Sequence, residues 1–422
     1  MRRLIPSPLI LAYHWCIALF GALWYWFPSH SITVIGVTGT NGKSTTVEIL
    51  HNIFEEAGHK VASASSLRFR IDGTEIVNDR KMTMPGRFFM QRFLYNAKLK
   101  GCDIAILEVT SEGARQFRHA YIAFDTVAIT NLTPEHIESH GGFEQYREAK
   151  LKIFRALNSS WKKKKHIVVN AMMADAKMFI ESASHAEVWE YARDKASLID
   201  SARMVFPSDT LFEGRISFEF GGTRFESALE GEFNLENILC AIAVAIAHHV
   251  PLESISRGIG KVLGVPGRLE YILREPFAVV VDYAHTPDAL EKVYETLKPH
   301  AKRLICVLGA AGGGRDKWKR PEFGRIADQF CDEIILTDED PYDEDPKMII
   351  DDIVRGVTLH KPTVELDRKN AIELAIRKAL DGDTVVITGK GAEPLMALSG
   401  GKKIVWDDRA IARSKIHHKA LE

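Results

Sequence analysis

Short apolar runs alternate with helix-length segments along most of the chain. Four runs rich in β-branched residues occupy 32–37, 104–109, 126–129 and 167–169. Four more occupy 278–281, 303–308, 333–336 and 384–387, and the segments between the runs have the apolar spacing of helices. Strands that alternate with helices in this way form parallel sheets with crossover helices. We therefore predict an α/β protein.

The dipeptide Pro266-Gly267 separates the two series of runs and predicts a domain boundary. We expect a hydrophobic helical segment at 1–30, a first α/β domain at 31–266 and a second at 267–422. Within the first domain, 211–225 alternates as antiparallel strands do, and 235–247 is typical of a helix rich in small residues. The length of 422 residues fits two or three domains, each large enough for a hydrophobic core.

Residues 9–27 carry no charged side chain and are about as long as a membrane span, with Arg2 and Arg3 before them. The residues that follow Phe27 make a poor signal-peptide cleavage site. A span with this basic flank would place the rest of the chain outside the cell. Three arrangements stay open: a helix packed on the protein, a helix lying in a membrane interface through its aromatic side chains, and a span.

Charge and cysteine content exclude several classes of protein. The chain has 55 basic and 56 acidic residues, a net charge of −1, so we expect no nucleic-acid partner. Its five cysteines are scattered, without a Cys-x-x-Cys pair, so we predict neither a disulfide framework nor a zinc site. They are Cys16, Cys102, Cys240, Cys306 and Cys331. This pattern indicates a reduced, cytoplasmic protein.

A glycine-rich loop follows the first apolar run and opens a helix predicted at 44–57. It reads Gly36-Val37-Thr38-Gly39-Thr40-Asn41-Gly42-Lys43-Ser44-Thr45. Between a strand and a helix, such a loop turns backbone N–H groups onto phosphates, and its lysine adds a positive charge. Ser44 is placed to bind the Mg²⁺ that accompanies a nucleotide. The first domain is therefore predicted to be a P-loop domain with a mostly parallel sheet, and the second a Rossmann-like α/β domain.

Two further polar residues follow strands of the same predicted sheet. Glu108 ends the run at 104–109, and His136 comes shortly after the run at 126–129. Both should lie at the carboxyl edge of the sheet, where ligands of α/β proteins gather. A carboxylate and an imidazole beside Lys43 favour a role in phosphoryl transfer, which needs its negative charges neutralised.

The loop sequence TGTNGKST resembles the ATP-binding loop of the Mur ligase family, and the similarity runs from about residue 32 to 415. In that family a carboxylate attacks the γ-phosphate of ATP to give an acyl phosphate, and an amine then displaces phosphate. The motifs are most similar to the MurE-type enzymes, which add the third peptide residue to UDP-N-acetylmuramoyl-dipeptide. The resemblance thus implies an ATP- and Mg²⁺-dependent amide-forming ligase of peptidoglycan synthesis, acting in cell wall formation, cell shape and cell division.

The resemblance also implies roles for individual residues. It places Mg²⁺ on Glu108 and His136, with Ser44, and it makes Lys150 of Tyr146-Arg-Glu-Ala-Lys150 a carbamylated lysine beside the metal. The residues implied to bind ATP are Gly39, Thr40, Asn41, Gly42, Lys43, Ser44, Thr45, Asn237, Arg268, Asp282, Tyr283 and His285. Those implied to bind the acceptor are Thr83, Met84, Thr110, Gln116 and Arg118. Those implied to bind the amino acid are Arg315, Glu339, Asp340, Pro341, Tyr342, Gly389 and Glu393.

The specificity segment departs from the family pattern. Diaminopimelate-specific members read Asp-Asn-Pro-Arg, whereas this chain reads Glu339-Asp340-Pro341-Tyr342 and continues with acidic residues. Loss of the arginine removes a bidentate clamp for a second carboxylate, and acidic residues suit a cation. We therefore predict a diamino acid such as L-lysine or ornithine as the incoming amine.

About 30 residues precede the ATP domain, too few for the UDP-binding domain of MurE-type enzymes. The acceptor is therefore either UDP-linked, with weaker contacts to UDP, or lipid-linked as for MurT-type ligases, with residues 9–27 against the membrane. Two different functions also stay open, a folylpolyglutamate synthase-like ligase and a non-catalytic ATP-binding scaffold. We expect a monomer whose partners are small molecules, with peripheral membrane contact through residues 9–27.

Overall fold

The computed structural model describes residues 7–80, 82–199 and 203–419; Arg2 and Arg3 lie outside them. The elements are, in chain order, α1 (Ser7–Trp24), β1 (Thr33–Thr38), α2 (Lys43–Glu56), β2 (Val61–Ala64), β3 (Arg68–Ile71), β4 (Thr74–Val77), α3 (Arg87–Leu99), β5 (Ile104–Glu108), α4 (Ser111–Arg115), β6 (Thr126–Ile129), α5 (Ile137–His140), α6 (Phe143–Asn158), β7 (His166–Asn170), α7 (Ala176–Ser182), β8 (Glu187–Tyr191), β9 (Met204–Val205), β10 (Ser208–Phe212), β11 (Ile216–Phe220), β12 (Thr223–Ser227), α8 (Glu232–Ala247), α9 (Leu252–Gly260), β13 (Glu270–Leu273), β14 (Ala278–Val281), α10 (Pro287–Leu297), β15 (Leu304–Leu308), α11 (Lys319–Phe330), β16 (Glu333–Leu336), α12 (Pro346–Val354), β17 (Thr363–Val364), α13 (Arg368–Lys378), β18 (Thr384–Ile387), β19 (Leu395–Ala397), β20 (Lys403–Val405) and α14 (Asp408–Lys419).

The chain forms two compact units. The first comprises residues 1–134 and 142–263, and the second comprises residues 135–141 and 264–422. The division after Leu263 lies close to the predicted boundary at Pro266-Gly267, and the hydrophobic N-terminal segment belongs to the first unit. The sequence did not predict that residues 135–141 would join the second unit.

The first unit is built on a nine-stranded sheet in the order β4-β3-β2-β5-β1-β6-β7-β8-β9. It is parallel from β2 to β9, and β3 and β4 add an antiparallel edge. Side chains of α3, α6 and α7 pack on one face of this sheet. Helices α2 and α8 also contact strands of the sheet, and α9 packs on α2. Because helices cover the sheet, its strands are continuous apolar runs. The predicted antiparallel strands at 211–225 form the separate sheet β10-β11-β12.

The second unit has a six-stranded sheet in the order β13-β14-β18-β15-β16-β17, parallel except for β13. The predicted runs at 278–281, 333–336 and 384–387 coincide with β14, β16 and β18. Branched side chains of these strands and of α13 form its core. The predicted fold class, α/β with mostly parallel sheets, is therefore confirmed.

One cysteine prediction is wrong. Cys306 on β15 and Cys331, just before β16, form a disulfide, with their Cα atoms 6.0 Å apart. Neighbouring parallel strands bring the two residues together, because Cys306 pairs in register with Ile334. Their separation of 25 residues along the chain gave no sign of this. The other three cysteines are free.

Helix α1 packs on the first unit through its small residues. Ala18 and Ala22 are buried, and a Cβ atom added at Gly21 would lie 3.5 Å from the Phe88 ring of α3. Several of its large apolar side chains are exposed, among them a stripe formed by Leu9, Tyr13, Phe20, Leu23 and Trp24. The Phe20 ring also lies 5.6 Å from the Phe88 ring of α3. Among the residues that the structure describes, no helix has the length and hydropathy to cross a membrane.

Candidate active site

The glycine-rich loop joins β1 to α2 at the carboxyl edge of the first sheet. Gly42 has a φ of +81°, and a Cβ atom added there would lie 2.1 Å from Oδ1 of Asn237 on α8. Only glycine satisfies both the backbone angle and this close approach. Asn237, which the family resemblance implies to bind ATP, therefore lies directly against the phosphate-binding loop.

Neighbouring chain segments hold this loop in shape. The Thr40 and Asn41 N–H groups donate to the backbone and side-chain oxygens of Asn131 at 3.0 and 2.8 Å. Lys43 Nζ donates to the carbonyl oxygens of Gly39 and Thr40 at 3.0 and 2.6 Å. Thr45 is buried in the first turn of α2. The loop is thus organised before any phosphate arrives, which reduces the entropy lost on binding.

Ser44 and Glu108 lie side by side at the start of α2. Ser44 Oγ donates to Glu108 Oε2 at 2.9 Å, and the Ser66 N–H donates to the same oxygen at 2.9 Å. Glu108 is 3% exposed. A hydroxyl and a carboxylate are hard oxygen ligands, and Mg²⁺ needs only one or two such protein groups beside water and phosphate oxygens. The pair therefore fits Mg²⁺ held with a nucleotide.

Lys150 projects from α6 to the same loop. Its Nζ donates to the Gly39 carbonyl at 2.7 Å, and Lys150 is 1% exposed. The preceding turn of α6 supplies Tyr146, whose hydroxyl lies 3.0 Å from Thr40 Oγ1. Lysine side chains on helices usually lie on the surface, so a fully buried lysine beside this loop is unusual.

His136 lies in the segment that joins the second unit. Asp316 accepts the N–H groups of Ile137 and Glu138 at 3.1 and 2.9 Å, which fixes this segment. The His136 Nε2 atom lies 3.5 Å from Glu135 Oε1, and burial lowers the pKa of His136 against the opposing effect of Glu135. A neutral imidazole is the form that ligates a metal. His136 belongs to the second unit, and Glu108 belongs to the first.

The predicted acceptor residues cluster around α4 in the first unit. Thr110 caps α4 by accepting the Gly113 N–H at 3.0 Å. Met84 is buried, Thr83 beside it is partly exposed, and the Met84 carbonyl accepts a hydrogen bond from Arg118. Arg118 also donates to Gln116 Oε1 at 2.9 Å. All five predicted residues are thus brought into one neighbourhood.

The predicted ATP residues of the second unit adjoin β14. The Arg268 guanidinium lies 4.2 Å from the centre of the Tyr283 ring. Both carboxylate oxygens of Asp282 accept backbone N–H groups, those of Leu269 and Ala284, at 2.6 Å. Burial raises the pKa of Asp282. Asp282 therefore fastens the turn that carries Arg268.

His285 connects this turn to the segment at 135–141. Its Nδ1 lies 2.8 Å from the Tyr283 carbonyl oxygen, so Nδ1 carries a proton, and its Nε2 lies 3.0 Å from Glu135 Oε1. Lys319 Nζ donates to the His285 carbonyl at 2.9 Å, and burial lowers the pKa of Lys319. These contacts gather a carboxylate, an imidazole and an amine in the second unit.

The predicted amino-acid residues surround a buried lysine. Lys390 donates to Asp340 Oδ1 at 3.0 Å and to Glu393 Oε2 at 2.7 Å, and the Tyr283 hydroxyl donates to Glu393 Oε1 at 3.1 Å. Asp340 and Glu393 therefore share a single ammonium group as their partner within the second unit. Glu339 differs, because its buried Oε2 has no hydrogen-bond partner among the described residues and faces the backbone of Gly389.

Tyr342 ends the segment 339–342, which the family resemblance implies to set the choice of amino acid. It has a φ of +53°, and a Cβ atom added at Gly313 would lie 2.7 Å from its side chain. The Tyr342 hydroxyl hydrogen-bonds Arg315; although burial opposes it, this contact leaves the pKa of Arg315 raised. Pro341 precedes it, and its carbonyl oxygen accepts the Glu344 N–H at 3.1 Å.

Sequence reasoning missed four residues that hold these sites together: Asn131, Glu135, Tyr146 and Lys390. Each lies inside a motif whose neighbours were selected. The sequence could have pointed to them only because each is a polar residue within such a motif. The three-dimensional contacts show what each one touches.

Comparison with known proteins decides the family. Residues 37–245 match the Mur ligase middle domain, and residues 267–391 match the Mur ligase glutamate ligase domain. The chain is 36% identical to UDP-N-acetylmuramoyl-L-alanyl-D-glutamate–2,6-diaminopimelate ligase of Gloeobacter violaceus over 408 residues, covering 94% of this chain and 80% of the relative. The chain belongs to the Mur ligase family.

Two further relatives agree with this membership, and a third protein shares the fold alone. UDP-N-acetylmuramyl-tripeptide synthetase of Roseiflexus is 35% identical over 437 residues, covering 97% of this chain and 84% of the relative. A solved diaminopimelate ligase shares 30% identity at a TM-score of 0.61 over 92% of this chain and 79% of that one. Folylpolyglutamate synthase from Mycobacterium tuberculosis shares the fold, at 18% identity and a TM-score of 0.71 over 91% of this chain and 92% of that one. Members of this family are ATP-dependent ligases, and so is this Mur ligase, with a role in peptidoglycan synthesis.

Proposed function

We propose that this Mur ligase joins an amino acid to the D-glutamate of UDP-N-acetylmuramoyl-L-alanyl-D-glutamate, in the cytoplasm and as a monomer. The observation that supports this most is the convergence on one loop of Lys43, the Ser44–Glu108 pair and the buried Lys150. Such a loop orients the terminal phosphates of ATP. The named relatives carry out this reaction class with diaminopimelate or form the tripeptide.

The reaction proceeds in two steps. A carboxylate oxygen of the acceptor attacks the γ-phosphorus of ATP, the bond to ADP breaks, and an acyl phosphate forms. The amine nitrogen then attacks the acyl carbon, loses a proton, and expels phosphate. The loop N–H groups and Lys43 stabilise the charge that develops on the γ-phosphate in the first step.

In the first unit, Ser44 and Glu108 would hold Mg²⁺, which when bound neutralises phosphate charge. Lys150 is proposed to be carbamylated, which would place another carboxylate beside the Gly39 carbonyl that its nitrogen already contacts. The nitrogen of a carbamate keeps one N–H, so this hydrogen bond survives the modification.

The incoming amino acid is proposed to be a diamino acid such as L-lysine. Tyr342 replaces the arginine that would clamp a second carboxylate, and the unpartnered Oε2 of buried Glu339 is a candidate acceptor for an ammonium group. The other four acids of this segment have partners: Asp340 binds Lys390, Asp343 accepts from Ser399 Oγ and the Gly400 N–H, Glu344 binds Arg320, and Asp345 caps α12. The proposed preference for lysine therefore depends on Glu339 and Tyr342.

We expect the protein, given Mg-ATP and UDP-muramoyl-dipeptide, to form the lysyl product with at least about tenfold higher kcat/KM than the diaminopimelyl product. The reason is that a second carboxylate without its arginine loses a charge-assisted hydrogen bond, worth about 1.5–3 kcal/mol. Products are identified by mass after incubation with lysine, ornithine, diaminopimelate and alanine. Tyr342→Arg should shift the preference towards diaminopimelate, and Tyr342→Phe serves as the matched control.

A preference of the wild-type protein for diaminopimelate would overturn the amino-acid proposal and leave the ligase intact. Absence of any amide product, with either the UDP-linked acceptor or a lipid-linked muramoyl-dipeptide, would overturn the ligase proposal itself. If product forms only with the lipid-linked muramoyl-dipeptide, the acceptor of this enzyme is lipid-linked rather than UDP-linked. Phosphate release without an amide product would indicate an ATPase.

Helix α1 is proposed to contact an anionic membrane surface. The stripe formed by Leu9, Tyr13, Phe20, Leu23 and Trp24 is exposed on a helix without charge, which reverses the usual order of a surface helix. The neighbouring helix α3 carries three basic residues and no acid. Rings of Phe27, His30 and Trp161 stack in sequence and lead to the basic run at 162–165. Aromatic and basic groups around an apolar stripe suit a bilayer with anionic lipids.

We expect the protein to sediment with vesicles that contain an anionic phospholipid, and more weakly with vesicles of phosphatidylcholine alone. Phe20→Glu should lower the vesicle-bound fraction at least about tenfold, because a charge replaces an apolar side chain worth roughly 1.5–3 kcal/mol when buried. Leu263→Glu changes a leucine of the same unit that lies outside the stripe and is more exposed than Phe20, and this variant should bind as wild type does. Equal binding of Phe20→Glu, or dimer formation that Phe20→Glu abolishes, would contradict membrane contact.

A further inference from the structure

A short hairpin of the second unit follows Glu393 along the chain. Strands β19 and β20 pair antiparallel, and residues 395–405, termed the C-terminal hairpin, comprise both strands and the turn between them. Met396 and Ala397 on β19 are buried, whereas all three residues of β20 are exposed. The hairpin therefore has an inner strand packed within the unit and an outer strand at its surface.

Buried charged residues hold the inner strand. The Ala397 N–H donates to Asp340 Oδ1 at 2.7 Å, and Lys390 Nζ donates to the Leu395 carbonyl oxygen at 2.8 Å. Lys390 also donates to Asp340 and to Glu393, two residues that the family resemblance implies to bind the amino acid. The inner strand is therefore fastened to the proposed amino-acid site by charge-assisted hydrogen bonds.

One exposed aspartate holds the turn of the hairpin. Asp343 Oδ1 accepts the Gly400 N–H at 2.8 Å and the Ser399 hydroxyl at 3.2 Å, and all three residues are exposed. Gly400 has a φ of +69°, and a Cβ atom added there would meet no neighbouring atom within 4 Å. Exposed hydrogen bonds compete with water and contribute little, so the turn can detach while the inner strand stays fastened.

Asp343 also belongs to the segment that is proposed to select the amino acid. On one side of it, the Tyr342 hydroxyl hydrogen-bonds Arg315, and on the other, Glu344 Oε1 accepts the Gly314 N–H at 3.2 Å. Both neighbours of Asp343 thus contact the loop that carries Arg315, while Asp343 itself contacts the turn of the C-terminal hairpin. Three consecutive residues therefore join these two parts of the second unit.

We propose that Asp343 is a positioning residue that latches the turn of the C-terminal hairpin beside the bound amino acid. Release of this latch admits the amino acid, and its closure slows the loss of the amino acid before the acyl phosphate reacts. Asp343 contacts no reacting group and acts only through the hairpin. This role rests on the proposed function, because it concerns the incoming amino acid of that reaction.

Steady-state kinetics test the latch in the complete reaction, with Mg-ATP, UDP-muramoyl-dipeptide and the amino acid that the wild-type protein uses best. We expect Asp343→Ala to raise KM for the amino acid about three- to tenfold, because one or two exposed hydrogen bonds are lost. The kcat and the KM for ATP should stay at their wild-type values, which a general loss of structure would not allow. Asp343→Asn keeps an acceptor oxygen without the charge, so its increase in KM should be smaller.

Two further variants accompany this measurement. Asp367→Ala is the matched control, because Asp367 is an exposed aspartate of the same unit that accepts a backbone N–H, that of Asn370 at 3.0 Å, but caps α13. It should leave KM for the amino acid unchanged. Ser399→Ala removes the longer bond of the latch without altering the acidic segment, and it should raise KM by less than Asp343→Ala does.

Hydrogen exchange of the Gly400 amide reports on the latch without turnover. Asp343→Ala should speed this exchange about three- to tenfold, in line with the lost hydrogen bond. A non-hydrolysable ATP analogue, UDP-muramoyl-dipeptide and the amino acid, added together, should slow the exchange in the wild-type protein and have a smaller effect in Asp343→Ala.

The latch is overturned if Asp343→Ala keeps the wild-type KM for the amino acid, or if the three ligands leave the exchange of Gly400 unchanged in the wild-type protein. The proposed ligase function fails differently, by forming no amide product with either acceptor. Exchange at Gly400 that depends on Asp343 and on the ligands would then stand without turnover, so the two failures are distinguishable.

Discussion

Replacing Glu108 by glutamine is expected to lower kcat by about 10²–10³-fold, equivalent to roughly 3–4 kcal/mol of transition-state stabilisation. The amide keeps the size of the side chain and an oxygen that can accept the Ser44 and Ser66 hydrogen bonds, both 2.9 Å long in the wild-type protein. It removes the negative charge that would hold Mg²⁺ beside Ser44. The effect should therefore appear in kcat and in the Mg²⁺ concentration needed for half-maximal phosphate release.

The matched control for Glu108→Gln is Glu48→Gln. Glu48 is likewise buried in the first unit, but its carboxylate pairs with Arg68 and Arg70 at 3.1 and 2.9 Å, away from the loop. This change should lower thermal stability and leave the Mg²⁺ dependence of the folded enzyme unaltered. A wild-type Mg²⁺ dependence in Glu108→Gln would remove Glu108 from the metal site.

Replacing Asp408 by alanine is expected to destabilise the second unit by about 3–5 kcal/mol. Asp408 and Arg368 are fully buried and form a two-bonded ion pair, with N–O distances of 2.9 and 2.7 Å. Trp406 Nε1 donates to the same carboxylate at 2.8 Å. Without Asp408, the buried guanidinium loses both charge-assisted hydrogen bonds and keeps, of the neighbouring charges, only the weaker effects of Asp338 and Glu339, and this cost dominates the change.

Differential scanning calorimetry should show the loss as a decrease in Tm of roughly 6–20 °C, at about 2–4 °C per kcal/mol for a unit of this size. Asp351→Ala is the control, since its pair with Lys347 is exposed and worth about 0–1 kcal/mol. The double change Arg368→Met with Asp408→Leu should recover part of the loss, because it removes both charges together. An unchanged Tm in Asp408→Ala would show that Arg368 finds another partner or reaches water.

The strands were predictable because parallel strands covered by helices need apolar side chains on both faces. The runs at 126–129, 278–281, 333–336 and 384–387 match β6, β14, β16 and β18 residue for residue. The loop at Gly42 was predictable for a related reason, since few sequences other than a phosphate-binding loop place Gly-Lys-Ser between a strand and a helix. The bonds of Asn131 to that loop could not be predicted, because 90 residues separate Asn131 from Asn41.

Hydropathy alone predicts that the N-terminal segment is an apolar helix, but it does not predict where that helix lies. Its uncharged sequence left a packed helix, an interfacial helix and a span open. The structure shows that its small residues Ala18, Gly21 and Ala22 are buried, with Gly21 against Phe88 of α3, while a stripe of large apolar side chains stays exposed. The Cys306–Cys331 disulfide is a similar case, since strand order decided which cysteines meet.

The sequence by itself determined the α/β class, the phosphate-binding loop and the family, because each of these depends on residue type at short spacing. Only the tertiary structure decided which side chains that are distant in the sequence lie close enough for their charges to interact. It paired Lys390 with Asp340 and Glu393, left the Glu339 Oε2 without a partner among the described residues, and brought Asp343 to the turn at Gly400. Burial makes such pairings energetically important, and burial is a property of the folded chain rather than of any one motif.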